Sequence, residues 1–232
     1  NYLTACDNWI DKQDGIKVVL VNPYATKQAK ELDDNSQTKS DKKDALTIAK
    51  LVKDGRYFEL YLPHDVYGEL RVLSTTRTGL NKRKNALKNT ITAVMDEYFP
   101  EYEEVFKCPL SGKASRHILK TCPFPKFILG MGEDGVTDEI KRSVKKSVGR
   151  KKAVQLVEAA KDSIGVDYGE EAARLKLRLM LEELELLEKQ TEELERQMED
   201  TLQQTDYADF LLSIKGIGIV TLAACLGCCP SN

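Results

Sequence analysis

Histidine and tryptophan are scarce, with two His and one Trp in 232 residues, and net charge is nearly absent at -2. No stretch approaches 18 consecutive apolar residues, and no basic segment followed by an apolar one opens the chain. Neither a membrane span nor a secretory signal is therefore visible, and a cytoplasmic protein is expected. Six cysteines, Cys6, Cys108, Cys122, Cys225, Cys228 and Cys229, are not spaced as a disulfide framework, so reduced thiols are expected. Cys225-x-x-Cys228-Cys229 has no second ligand pair, and only His64 and His117 lie elsewhere, which argues against zinc. A mean hydropathy of -0.41 places the chain in the globular class, long enough for one large domain or two small ones. Position 1 is Asn rather than Met, and the Cys-rich tail follows directly on a patterned segment, so truncation at both ends is expected.

Hydrophobic spacing divides what is present. Tyr2 to Asp14 suits a short amphipathic helix, with Leu3, Cys6, Trp9 and Ile10 on one side. Ile16 to Val21, bounded by Gly15 and Asn22-Pro23, reads as a buried strand of a helix-backed sheet whose other members lie upstream. Tyr24 to Leu32 predicts a helix. Ser40 stands at an N-cap position before a helix carrying Ala45, Ile48, Ala49 and Val52 that stops at Gly55. Tyr57 to Leu62 reads as a short β segment or extended connector. The pattern beyond it is helical: Tyr67 to Tyr98, a short helix Ser115 to Lys120 among prolines, then Thr137 to Ser147 and Lys151 to Ser163 separated by Gly149.

Glu170 to Gln204 carries a heptad pattern. Leu177, Leu184, Thr191 and Met198 are seven apart, with Met180, Leu187, Leu194 and Thr201 at the complementary positions. Either a coiled coil or a long bundle helix fits, and the partner is either a second subunit or the Tyr67 to Tyr98 helix. The two Thr weaken the seam.

Balanced charge hides segregation. Arg71, Arg77, Lys82, Arg83, Lys84 and Lys88 form one run without acid, and Lys141, Arg142, Lys145, Lys146, Arg150, Lys151 and Lys152 form another. Glu182 to Asp200 holds nine acidic residues against Lys189 and Arg196. The basic runs are either solvated helix surface or phosphate-neutralising faces.

Two constellations carry chemistry. Asp41 and Asp44 are i,i+3 at a helix start, where paired carboxylates suit a shared Mg²⁺ or Mn²⁺ in metal-assisted phosphoryl transfer; capping and the helix dipole are the plainer explanation. In Leu211 to Ala224 an apolar helix end, a turn with Lys215, Gly216 and Gly218, and a helix of small residues suggest a helix-hairpin-helix. Its glycines would let DNA phosphate approach backbone N-H groups; a purely structural turn is the alternative.

Val19-x-x-Asn22-Pro23, Lys39-Ser40-Asp41-x-x-Asp44-Ala45 with Ile48-Ala49 and Gly55, and the distant Ile214-x-Gly216-x-Gly218 resemble, in order, the insertion-sequence transposases related to the Piv and MooV invertases. The resemblance implies an α/β fold class, the C-terminal part of a RuvC-like ribonuclease-H domain with a D-E-D-D set over 1–64. A mainly α region follows: a basic helical part at 65–168, a coiled coil at 169–205, and the start of a C-terminal transposase domain with the helix-hairpin-helix at 206–232. Asp41 and Asp44 match the last two acids of the set. The first Asp and the Glu are expected upstream and a nucleophilic serine downstream, a role for which Ser231 lies too close to the glycines, so this chain alone is expected to be inactive. Mg²⁺ or Mn²⁺ is implied for the complete protein. DNA, in some members a structured noncoding RNA, a homo-oligomer through the coiled coil, and a nucleoid-associated location are implied as well. A non-catalytic nucleic-acid-binding or assembly fragment and a RuvC-like structure-specific nuclease are the alternatives.

Overall fold

A computed structural model describes residues 18–33, 41–59, 63–143 and 149–228. The described residues fall into two units, one ending at His64 and the other spanning Asp65–Cys228. The Tyr2 to Asp14 helix and Ser40 lie outside the described residues.

In the first unit, β1 (Val19–Leu20) pairs antiparallel with β2 (Phe58–Glu59), Val19 opposite Glu59 and Leu20 opposite Phe58. This differs from the expected buried strand: Leu20 and Phe58 are exposed, because a two-residue ladder has no further strand or cover among the described residues. Asn22-Pro23, read as a strand boundary, also starts a helix. Asn22 Oδ1 accepts from the Tyr24 N-H at 2.9 Å, and Pro23 occupies the first position of α1 (Pro23–Asp33), where its missing N-H costs nothing. α2 (Asp41–Lys53) packs on α1 and buries Thr47 and Leu51. It ends as expected at Gly55: with φ +72°, this residue lets Arg56 N-H reach the Leu51 carbonyl at 2.8 Å and its own N-H reach Val52 at 3.0 Å.

The second unit is helical among its described residues. It comprises α3 (Asp65–Tyr98), α4 (Tyr102–Val105), α5 (Lys113–Thr121), α6 (Pro125–Ser143), α7 (Gly149–Lys161), α8 (Glu170–Leu202), α9 (Ala208–Leu212) and α10 (Ile219–Leu226). α6 begins a dozen residues before the expected Thr137, since Pro125 suits a first helical position; Gly132, at φ +68° and ψ 179°, then breaks it. Gly149 opens α7 instead of merely separating two helices, and a Cβ there would stand 3.3 Å from Ile140 Cγ2.

The heptad face of α8 packs along α3 of the same chain, so the intramolecular option is the one observed. Leu177, Leu184, Leu187 and Met198 are buried there. Thr191 and Thr201 are tolerated in the seam because each hydroxyl donates to a carbonyl of its own helix, Leu187 and Gln197, both at 2.7 Å. One core joins the C-terminal half of α3 to α4–α8 through Phe99, Tyr102, Phe124 and Leu177; a smaller one joins Leu70, Met198, Leu202, Leu222 and Ala223. No helix among the described residues is long and apolar enough to cross a membrane.

Candidate functional site

Asp41 and Asp44 occupy the first turn of α2, where carboxylates also complement the positive helix end. Asp41 is exposed. Asp44 is half-buried, and one of its oxygens is ion-paired with Lys30 Nζ of α1. The oxygen donors suit a hard divalent cation, but two carboxylates are too few to hold it firmly, and Lys30 competes for one of them. Among the described residues no group of three or more His, Cys, Asp or Glu side chains is placed to bind a metal.

The cations predicted to meet nucleic acid do not share one fate. On α3, Arg77 turns inward and its Nε donates to Glu195 of α8 at 2.7 Å. Lys84 and Lys88 are half-buried and act on Glu188, whose carboxyl is held below the usual range mainly by the bidentate Arg116 contact at 2.6 and 2.7 Å, against partial desolvation. Arg71, Lys82 and Arg83 are exposed and enter no ion pair among the described residues. Arg71 and Lys82 share their side of the helix with exposed Thr75, Thr78, Asn85 and Asn89 and with no acid, giving a polar, cationic strip about 30 Å long at 1.5 Å per residue, with Arg83 on its flank. In the second run, Lys152 is tied to the Val105 carbonyl and lies over the Phe106 ring, Arg142 pairs with Glu139, and Lys141 approaches Asp138 at 3.7 Å. Arg150 and Lys151 are exposed at the start of α7, and Lys145 and Lys146 lie outside the described residues.

The glycine turn joins α9 to α10. Gly216 adopts φ +98° and Gly218 an extended conformation at the α10 N-cap, and a Cβ on either would meet nothing within 4 Å. Lys215 is exposed, and no side chain caps α10. The first α10 amides are thus open to a ligand in the manner expected of a phosphate-binding turn.

Residues 9–100 match the family model of the DEDD transposases of the IS110 type, described as Transposase. This segment is similar to the transposase domains of that type. No curated protein and no solved structure gives a significant match. The matched segment holds Asp41, Asp44 and the whole of α3 with its outer strip, and it ends at Pro100, just past the last turn of that helix. The basic run of α6 and α7 and the glycine turn lie beyond it.

Two features of these sites have no one-dimensional signature. Lys30 meets Asp44 only because α1 folds onto α2. Glu192, Glu195, Arg196 and Glu199 of α8 line a cleft of about 520 Å³ together with Gly218, Ile219 and Val220. Their i, i+3, i+4, i+7 spacing puts them on one side of α8, but nothing in it points to the α10 end that faces them.

Proposed function

We propose that this chain acts in DNA transposition by an insertion sequence, with the outer strip of α3 contacting the phosphate backbone. The transposase match over residues 9–100 carries this reading. The strip supports it: Arg71, Lys82 and Arg83 supply charge, and the neighbouring Asn85 and Asn89 supply hydrogen-bond donors of the kind that bind phosphate oxygens. Arg150, Lys151 and Lys215 extend the basic contacts, whereas Arg77, Lys84, Lys88, Arg142 and Lys152 serve the fold.

Asp41 and Asp44 are the proposed metal ligands, for Mg²⁺ or Mn²⁺. When bound, such an ion supplies activation of a hydroxyl and stabilisation of a leaving oxygen in strand cleavage and transfer. With two ligands the affinity is weak. Titration with Mn²⁺ followed by electron paramagnetic resonance should show millimolar binding that D41N/D44N abolishes. The Lys30–Asp44 pair favours a second reading, a nucleic-acid-binding element without catalysis, which retention of Mn²⁺ binding in D41N/D44N would support.

The binding test is fluorescence anisotropy with a duplex of arbitrary sequence. R71E/K82E/R83E should weaken binding at least about tenfold and reduce the slope of log K against log salt by about three. Unchanged affinity would refute the assignment of the strip. A structured RNA competitor distinguishes a DNA site from one shared with RNA.

A further inference from the structure

Packing of α1 on α2 brings the last turn of one, which holds Lys30, to the first turn of the other, which holds Asp41 and Asp44. A cation suits the carbonyl end of a helix and carboxylates suit the amide end, so each helix by itself favours the groups that meet here. Lys30 Nζ is ion-paired with Asp44 Oδ1. That oxygen is closed to solvent and has no hydrogen-bond partner among the described residues, so the ammonium meets it as a charge alone. The Asp44 side chain as a whole is 44% exposed, and its exposure therefore lies away from Oδ1. A carboxylate oxygen withdrawn from water is costly unless a positive charge faces it. Lys30 supplies one, and a divalent cation, which prefers oxygen donors, would supply two. The lysine thus stands in for an ion at this oxygen.

We infer that Lys30 is a positioning residue that governs metal occupancy: its ammonium is the resident counter-ion of Asp44, and a divalent cation gains the whole carboxylate only by displacing it. The inference rests on the reading of Asp41 and Asp44 as metal ligands. With Lys30 in place, an incoming ion meets one committed oxygen and a neighbouring positive charge, and is left with Asp41 and the outer oxygen of Asp44. The lysine can yield, because its side chain is 26% exposed and its four-carbon stem carries the ammonium into water by rotation about single bonds. An arginine would hold more firmly, since its planar fork grips both oxygens of a carboxylate at once. Lysine at this position keeps the exchange reversible.

The experiment titrates Mn²⁺ into the intact chain, K30M, K30R and K27M and follows the free ion by electron paramagnetic resonance. K30M should bind about fivefold or more tightly than the unaltered chain, a moderate gain because the pair is only partly shielded from water. K30R should bind no more tightly than the unaltered chain. K27M removes the same charge from exposed Lys27, one turn earlier on α1, and should change affinity by less than about twofold. A second measurement leaves Lys30 in place: the unaltered chain is labelled with an amine-reactive ester and read by mass spectrometry. Saturating Mg²⁺ should speed labelling of Lys30 about threefold or more and leave Lys27 unchanged, since the displaced amine enters water. Equal affinity of K30M and the unaltered chain, a gain as large in K27M or K30R as in K30M, or Lys30 labelling indifferent to Mg²⁺ would each overturn the inference. Should K30M fail to fold, the labelling result decides alone. If D41N/D44N abolishes Mn²⁺ binding and K30M leaves it unchanged, the metal reading stands and the inference falls. If neither the unaltered chain nor K30M binds Mn²⁺, both fall.

Discussion

Single residues fix how the helices of the second unit meet. Gly165 lies against the end of α3: a Cβ there would stand 2.1 Å from the Tyr98 carbonyl oxygen, and Val166 N-H donates to the Glu97 carbonyl at 2.9 Å, holding the loop in place. Backbone, unlike a side-chain tip, cannot swing away, so Gly165→Ala should cost about 2–4 kcal/mol in urea denaturation. Glu101 fastens the same loop, accepting from Ser163 Oγ at 2.7 Å and Ile164 N-H at 3.0 Å. The ion pair of Arg116 and Glu188 joins α5 to α8 and lowers the Glu188 pKa while raising that of Arg116. A carboxyl depressed in the folded state stabilises fully above its unfolded value of about 4.3, and this is lost as pH falls through the lower folded value. Thermal melts should therefore show wild type above E188Q at pH 7, with the gap closing below about pH 4. None of these pairings was legible in sequence: Arg116 and Glu188 are 72 positions apart, and Gly165 carries no pattern that distinguishes it from a flexible turn.

At the scale of elements, periodicity revealed much more. The long α3, the short α5 and the heptad helix α8 were legible because each buries one face at helical spacing, and Gly55 was legible because only a positive φ closes that helix end. The heptads did not reveal their partner, since a buried stripe looks the same whether the facing helix belongs to the same chain or another. Leu184 is fully buried and Leu186 is 54% exposed on the same helix. Leu184→Ala should cost about 2–5 kcal/mol and Leu186→Ala within about 0.5 kcal/mol in chemical denaturation, an asymmetry set by the face rather than by the residue type. Composition likewise revealed the basic run on α3 but not its division. Arg77 faces Glu195 and Lys82 faces solvent because five positions turn the helix by well over a quarter of a circle. R77Q should thus lower the melting temperature more than K82Q, with the reverse order for duplex affinity.

For the whole molecule, segment character along the sequence suggested an α/β portion followed by helices, and the described residues are rich in helix with a single two-stranded ladder. The strand at Val19–Leu20 was overestimated because β-branched apolar residues indicate where a sheet could form, while its extent depends on neighbours that the pattern does not contain. Asp65–Cys228 contains both apolar cores of the second unit, and its helices pack on one another. Expressed as residues 65–228, it should give a helical circular-dichroism spectrum and a single cooperative melt; a broad, non-cooperative transition would show that it depends on the remainder of the chain.

Gly227, just past α10, lies so close to α3 that a Cβ there would be 2.7 Å from the Arg71 N. Such contact leaves no slack for sliding between the two helices. The consequence is metric: the span from the glycine turn to the first cation of the α3 strip behaves as a fixed gauge, and a strand that touches both must match that length or forgo one end.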